Sequence, residues 1–334
     1  MRRNLIFIYC LLMAARMVAQ VEVLADNRAQ RFHKVFPTGQ YSGITHIKDS
    51  LFAVVTDDEA GFAFHLWALD LDEESGKIRH AEYLGRRGDG TEVRHDLEGI
   101  AYNPYSNTLF ISNERDHTVV ELDMDGRRTG RQIDLPGDVR SAIARNSSLE
   151  ALSYDAANHI LWTGIEGTIS LDGEQPTTTN GEPALCRLFA YDDSLRLVKT
   201  IRYRTEPPTK RKAARTYALG ISEIAAVGDG RMLVMEREVR VPKRFIGSTA
   251  TVRIYLIDAE NTKEGEVADK QLVTTIKTRV NLVRQNWANY EGMTLTPMRG
   301  DGSRTLVLVA DSQARYKGVL RDWVKTIHLR FGSR

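Results

Sequence analysis

LEGIAYNPYSNTLFISNERD at residues 97–116 and LEALSYDAANHILWTGIEGT at 149–168 run on one plan. A leucine and a glutamate open each, an apolar stretch leads to a turn, and a second apolar stretch ends on another glutamate. Asn103-Pro104 in one and Asp155 to Asn158 in the other are chain-reversal residues, so each reads as strand, turn, strand. The plan recurs as ISEIAAVGDGRMLVMEREV at 221–239 and YEGMTLTPMRGDGSRTLVLVADSQ at 290–313. A weaker copy, YSGITHIKDSLFAVVTDDEA at 41–60, lacks the first glutamate.

An alternating stretch with a charged turn follows each hairpin: HLWALDLDEESGKI (65–78), HTVVELDMDGRRTGRQI (117–133), CRLFAYDDSLRLVKTI (186–201) and TVRIYLIDAENTKEGEVADKQLV (251–273). These supply third and fourth strands. Four short strands recurring every 40 to 70 residues or so predict an all-β fold, a β-propeller of four-stranded blades. Five blades are visible in the sequence and a sixth has room to hide; RFHKVF at 31–36 is placed to add a closing strand to the last blade. No stretch sustains apolar residues at helical spacing over three turns, so long helices are not expected.

Outside the repeats, Arg2 and Arg3 precede the apolar run Leu5 to Ala15, with small residues at Ala19 and Ala25. That layout predicts a signal peptide within 1–25, cut between Ala19 and Ala25, and a single exported domain over 26–334, periplasmic or extracellular. The run is too short to span a bilayer, and no other segment is apolar enough to try, so no integral membrane segment is expected after leader removal. Without residues 1–20 the 46 basic residues fall to 43 against 44 acidic ones, so no global field favours nucleic acid. Cys186 is then the one cysteine left, which excludes an intrachain disulfide. A monomer is expected.

The acids fall where a hairpin brings them together. Glu98 begins one strand and Glu114 ends the next, sixteen residues on; Glu150 and Glu166 repeat that spacing. Glu223 and Glu236 are thirteen apart, Glu291 and Asp311 twenty, and the turn absorbs the difference. Antiparallel strands reverse direction, so both members of a pair lie on one edge of the sheet. The first strand of a blade lines the channel, so Glu98, Glu150, Glu223 and Glu291 are expected to face one another at its mouth, with the second set one strand out. Convergent carboxylates need cations, arginines or protons. Calcium, which takes six to eight oxygen ligands, is the cofactor this set predicts, held by Glu98, Glu114, Glu150, Glu166, Glu223, Glu236, Glu291 and Asp311. The alternative is that the acids bond to backbone amides of the next blade and only hold blades together.

Arg115 and Arg237 directly follow Glu114 and Glu236, and Arg315 and Lys317 follow Asp311; they are candidates for binding a small anionic or ester substrate, or partners in salt bridges. Catalytic candidates are Glu98, Glu150, Glu223, Glu291 and His95, which lies just ahead of an inner strand. Lys210, Arg211, Lys212 and Arg215, after Pro207-Pro208, form a solvated loop or one that overhangs the mouth. No Gly-x-Ser-x-Gly elbow supports serine esterase chemistry.

The segments at 97–116, 149–167, 220–238 and 289–313 resemble the successive motifs of the esterase-like activity of phytase family, over residues 40 to 330 or so. The resemblance implies a β-propeller, bacterial export and hydrolysis of esters or phosphate esters. The expected function is a metal-assisted ester hydrolase; the alternatives are a non-catalytic propeller that binds a protein, glycan or small anion, and a sugar-lactone hydrolase.

Overall fold

The computed structural model describes residues 20–57, 59–144, 147–243, 245–280, 287–313 and 320–333. Five four-stranded antiparallel sheets follow one another around a ring. Their inner strands are Tyr41–Lys48, Leu97–Asn103, Leu149–Asp155, Thr216–Ala226 and Asn289–Leu295, one from each copy of the repeat. Each inner strand packs against the inner strand of the next blade, and the fifth packs against the first, so the ring is a closed β-propeller of five blades among the described residues. The one described helix is a single short turn, Gly137–Ala142.

The sheets are held face to face by apolar side chains from alternate strand positions. Between blades five and one, Phe52, Val54, Trp67, Val307 and Val309 are fully buried, and Phe36 stacks on Trp67 at 3.8 Å. Burying such a side chain contributes about 1.5–3 kcal/mol. Glycines of the repeated motif let the inner strands approach: a Cβ on Gly43 would stand 2.4 Å from the Glu98 carbonyl oxygen, and one on Gly99 2.6 Å from that of Glu150.

Closure differs from the sequence expectation. The outer strand of the last blade is Val21–Asp26, paired antiparallel with Val324–Phe331. Residues 31–36 do not extend that sheet; only Gln30 bridges to Val324, and Phe32 and Phe36 instead cover the core beside Trp67. The strand Val21–Asp26 buries only Val21 outright and leaves three of its six residues exposed, as suits an edge strand, whereas the two phenylalanines gain more by joining an aromatic cluster.

Every inner strand is irregular at the same place. Its pairing with the second strand shifts register within Tyr41–Gly43, Leu97–Ile100, Leu149–Ala151, Ile221–Glu223 and Tyr290–Gly292. A bulge leaves its extra residue out of the ladder and re-aims its side chain. The residues spanned in this way are Ser42, Glu98 with Gly99, Glu150, Ser222 and Glu291.

Candidate functional site

The registers identify which second-strand residues are equivalent. Tyr41, Leu97, Leu149, Ile221 and Tyr290 pair with Thr56, Asn113, Ile165, Glu236 and Ala310. One residue further on in each blade stand Asp57, Glu114, Glu166, Arg237 and Asp311. The outer acidic set thus contains Asp57, which the sequence reading passed over, and blade four contributes an arginine to it in place of Glu236.

Arg237 stands among these carboxylates and supplies one of the compensations they require. Its guanidinium donates to Glu166 Oε1 at 2.7 Å, approaches Glu150 at 3.3 Å, and also bonds to Glu291. All four side chains are about one tenth exposed. Burial, reinforced by neighbouring carboxylates, holds Glu98, Glu150 and Glu291 well above the ordinary carboxylate range, with Arg237 pulling the last two back down. Burial likewise lifts Glu114 to about 7, although its Oε1 accepts the Ser148 amide at 2.9 Å, and lifts Asp311 to about 6.

Arg237 serves the side of the ring made by blades three to five. On the other side, single carboxylate oxygens of Asp57, Asp96 and Glu98 lie within 4.8 Å of one another, and all three residues are half-buried. That donor set, oxygen only and partly solvated, fits a hard dication such as calcium, whose remaining ligands would be carbonyls or water. Asp57 also accepts from Gln40 Nε2 at 3.1 Å and borders a cavity of about 290 Å³. Tyr41, Glu59 and His65 line the same cavity. Burial pushes Glu59 up, but hydrogen bonds from His65 and Thr56 together with Arg86 bring it down to about 2.

Other sequence candidates lie elsewhere. Glu223 stands one position later than the other first-strand acids, at the place where blades one, two and five carry glycine. Fully buried, its Oε1 accepts the amides of Leu152 at 2.8 Å and Ile224 at 3.0 Å, tying blade four to blade three. Glu236 points into the seam between the same two blades, where it accepts from Tyr203 Oη at 2.9 Å and Lys270 Nζ at 2.6 Å. His95 is buried against the Phe62 ring, with Asn113 Nδ2 3.1 Å from its Nδ1, and burial lowers its pKa. Arg115 lies exposed at the rim and donates to the Arg94 carbonyl at 2.6 Å. Arg315 and Lys317 lie outside the described residues. The basic insertion is tied down by Glu238, which accepts the Thr209 amide at 2.9 Å, while Lys210, Arg211, Lys212 and Arg215 stay exposed.

Ring, bulges and acidic mouth define a β-propeller with carboxylates gathered at one end of its channel. The chain belongs to the phytase-like family described as esterase-like activity of phytase, which residues 37–313 match. No curated protein matches the sequence. Among solved structures, RS223-β-xylosidase aligns at 10% identity over 91% of this chain and 96% of its own, with a TM-score of 0.48. The β-propeller domain of Cps50 (Swd1) from Myceliophteria thermophila aligns at 9% identity over 92% and 99%, TM-score 0.34. For hydrazine synthase from Kuenenia stuttgartiensis the values are 11%, 85% and 60%, TM-score 0.38, so this chain spans under two thirds of that one. Among the described residues no helix is long and apolar enough to cross a membrane.

Proposed function

We propose that the chain is a metal-assisted hydrolase of ester bonds, working as an exported monomer, with the cation held by Asp57, Asp96 and Glu98. The observation that carries this reading is the convergence of those three carboxylates beside the cavity bordered by Asp57. A bound dication there would polarise an ester oxygen and acidify a water. The protein's own part is positional. Gln40 fixes the Asp57 carboxylate, and the Glu59–His65 pair presents a polar wall to a substrate. No described arginine or lysine lines this cavity, which favours an uncharged ester over a phosphate ester, since a phosphate would lean on the cation alone for its charge.

Calorimetric titration of calcium into the mature protein, with turnover of short carboxylic esters and phosphate monoesters measured in parallel, tests the proposal. Expected are calcium binding, calcium-dependent cleavage of the carboxylic esters, and loss of both in Asp57→Asn and Glu98→Gln. Absence of binding and of cleavage in the unmodified protein would leave a carboxylate ring that serves blade packing. Export is part of the proposal, with the cut placed ahead of Val21, because Val21–Asp26 is a strand of the last blade. Mass spectrometry of the mature N-terminus checks that.

A further inference from the structure

The opposite end of the channel has different chemistry. Three residues beyond each re-aimed position of the inner strands, about 10 Å along the chain direction, stand Thr45, Ala101, Ser153, Ala225 and Thr294. The three hydroxyls each accept an amide from the neighbouring blade: Thr45 from Tyr102 at 3.3 Å, Ser153 from Ala226 at 3.0 Å, and Thr294 from His46 at 3.2 Å. Each hydroxyl oxygen is thereby engaged as an acceptor, while its own hydrogen has no acceptor among the described residues. All three border one cavity of about 240 Å³ at the end of the channel.

Arg304, from the second strand of blade five, lines the same cavity. It donates to the Thr296 carbonyl at 2.5 Å and the Val227 carbonyl at 2.6 Å, which fixes the guanidinium at the mouth. No carboxylate among the described residues comes within ion-pair distance of it. Asp155 and Asp229 favour its charge from further away, but Asp229 is itself paired with Arg231. Burial outweighs them and lowers the guanidinium to about 10. A cation held at a part-enclosed mouth by carbonyls, ringed by hydroxyl hydrogens in search of an acceptor, is complementary to a small oxyanion.

We propose that this second mouth binds a small oxyanion, phosphate or carboxylate, through Arg304 and the hydroxyls of Thr45, Ser153 and Thr294. The site is separate from the acidic one and needs no metal. Its test is calorimetric titration of inorganic phosphate, and of acetate in parallel, into chelator-treated mature protein. Binding by the unmodified protein is expected, weakened about tenfold or more in Arg304→Gln, the loss of one charge-assisted contact. Because Arg304 also holds two carbonyls, Ser153→Ala serves as a milder variant and Arg304→Lys retains the charge. Both should fold; the first should bind severalfold more weakly and the second should keep most of the affinity. Binding of phosphate but not acetate would assign a tetrahedral ligand, and equal binding a site that reads charge alone; either supports the proposal. No binding of either anion, equal affinity in Arg304→Gln and Ser153→Ala, or loss of binding in Glu98→Gln would overturn it. The last result would place the anion at the acidic mouth.

Discussion

Blades three and four share strand order, hairpin and bulge, yet they treat charge in opposite ways. Blade three turns Glu150 and Glu166 toward the channel mouth, where both meet Arg237. Blade four offers Ser222 and Arg237 at those two positions and sends its acids, Glu223 and Glu236, to the amides of the ring and the seam with blade three. A one-residue offset within an unchanged fold thus converts a blade from a source of negative charge into the counter-charge for its neighbours. The sites of a propeller are set by register as much as by composition.

The difference between the two blades rests above all on Arg237. Arg237→Met should leave Glu150, Glu166 and Glu291 without their shared cation and destabilise the chelator-treated protein by about 3–5 kcal/mol in denaturant titration, with calcium restoring part of the loss. A change below about 1 kcal/mol would mean that the cage is neutral by protonation alone. Glu223→Ala should cost about 2 kcal/mol, since it leaves two buried amides without an acceptor, and calcium affinity should be unchanged. A parallel fall in calcium affinity would return Glu223 to the acidic mouth.

Change of pH separates the two kinds of carboxylate. Glu114 at about 7 and Asp311 at about 6 keep protons that the unfolded chain has released, so their share of stability is full below the unfolded carboxylate pKa near 4.3 and is lost as pH rises toward their folded values. Glu59, held at about 2, acts the opposite way but only below about pH 4. Stability without divalent ions should therefore fall by up to about 4 kcal/mol between pH 5 and pH 8, and saturating calcium should flatten the slope. A slope of the opposite sign would show that the mouth is already compensated. Smallest in stability, and most telling for function, is Glu98→Gln, which removes repulsion from the half of the mouth that Arg237 does not serve. Unfolding should shift by less than about 1 kcal/mol, while calcium affinity drops about tenfold or more.

The repeat was legible in the sequence because strand, turn and strand each leave a compositional mark, and five copies of Leu/Tyr/Ile-x-x-Ile/Leu/Met agree with one another. Glu98, Glu150 and Glu291 could be assigned to one mouth for the same reason. Glu223 and Glu236 could not be told apart from them, because a bulge changes which side chain faces the channel without changing which residue types occur. The signal that separates them is glycine. Blades one, two and five have it at the third motif position, and ISEI has its glutamate there. Asp57 was hidden by the weak fifth copy, whose serine at position 42 obscured the pairing that makes Asp57 equivalent to Glu114 and Glu166. The closing strand lay within the stretch where the sequence places its leader, and hydropathy alone does not divide the two.

The pairing of Val21–Asp26 with Val324–Phe331 has a kinetic consequence. Val21 meets Phe331, so the first described strand has no partner until the last described one has been synthesised. Closing so long a loop is slow, and the sheet edge at Val324–Phe331 stays open to other chains until it happens. Ring closure waits on that pairing, which makes it the folding step most exposed to aggregation.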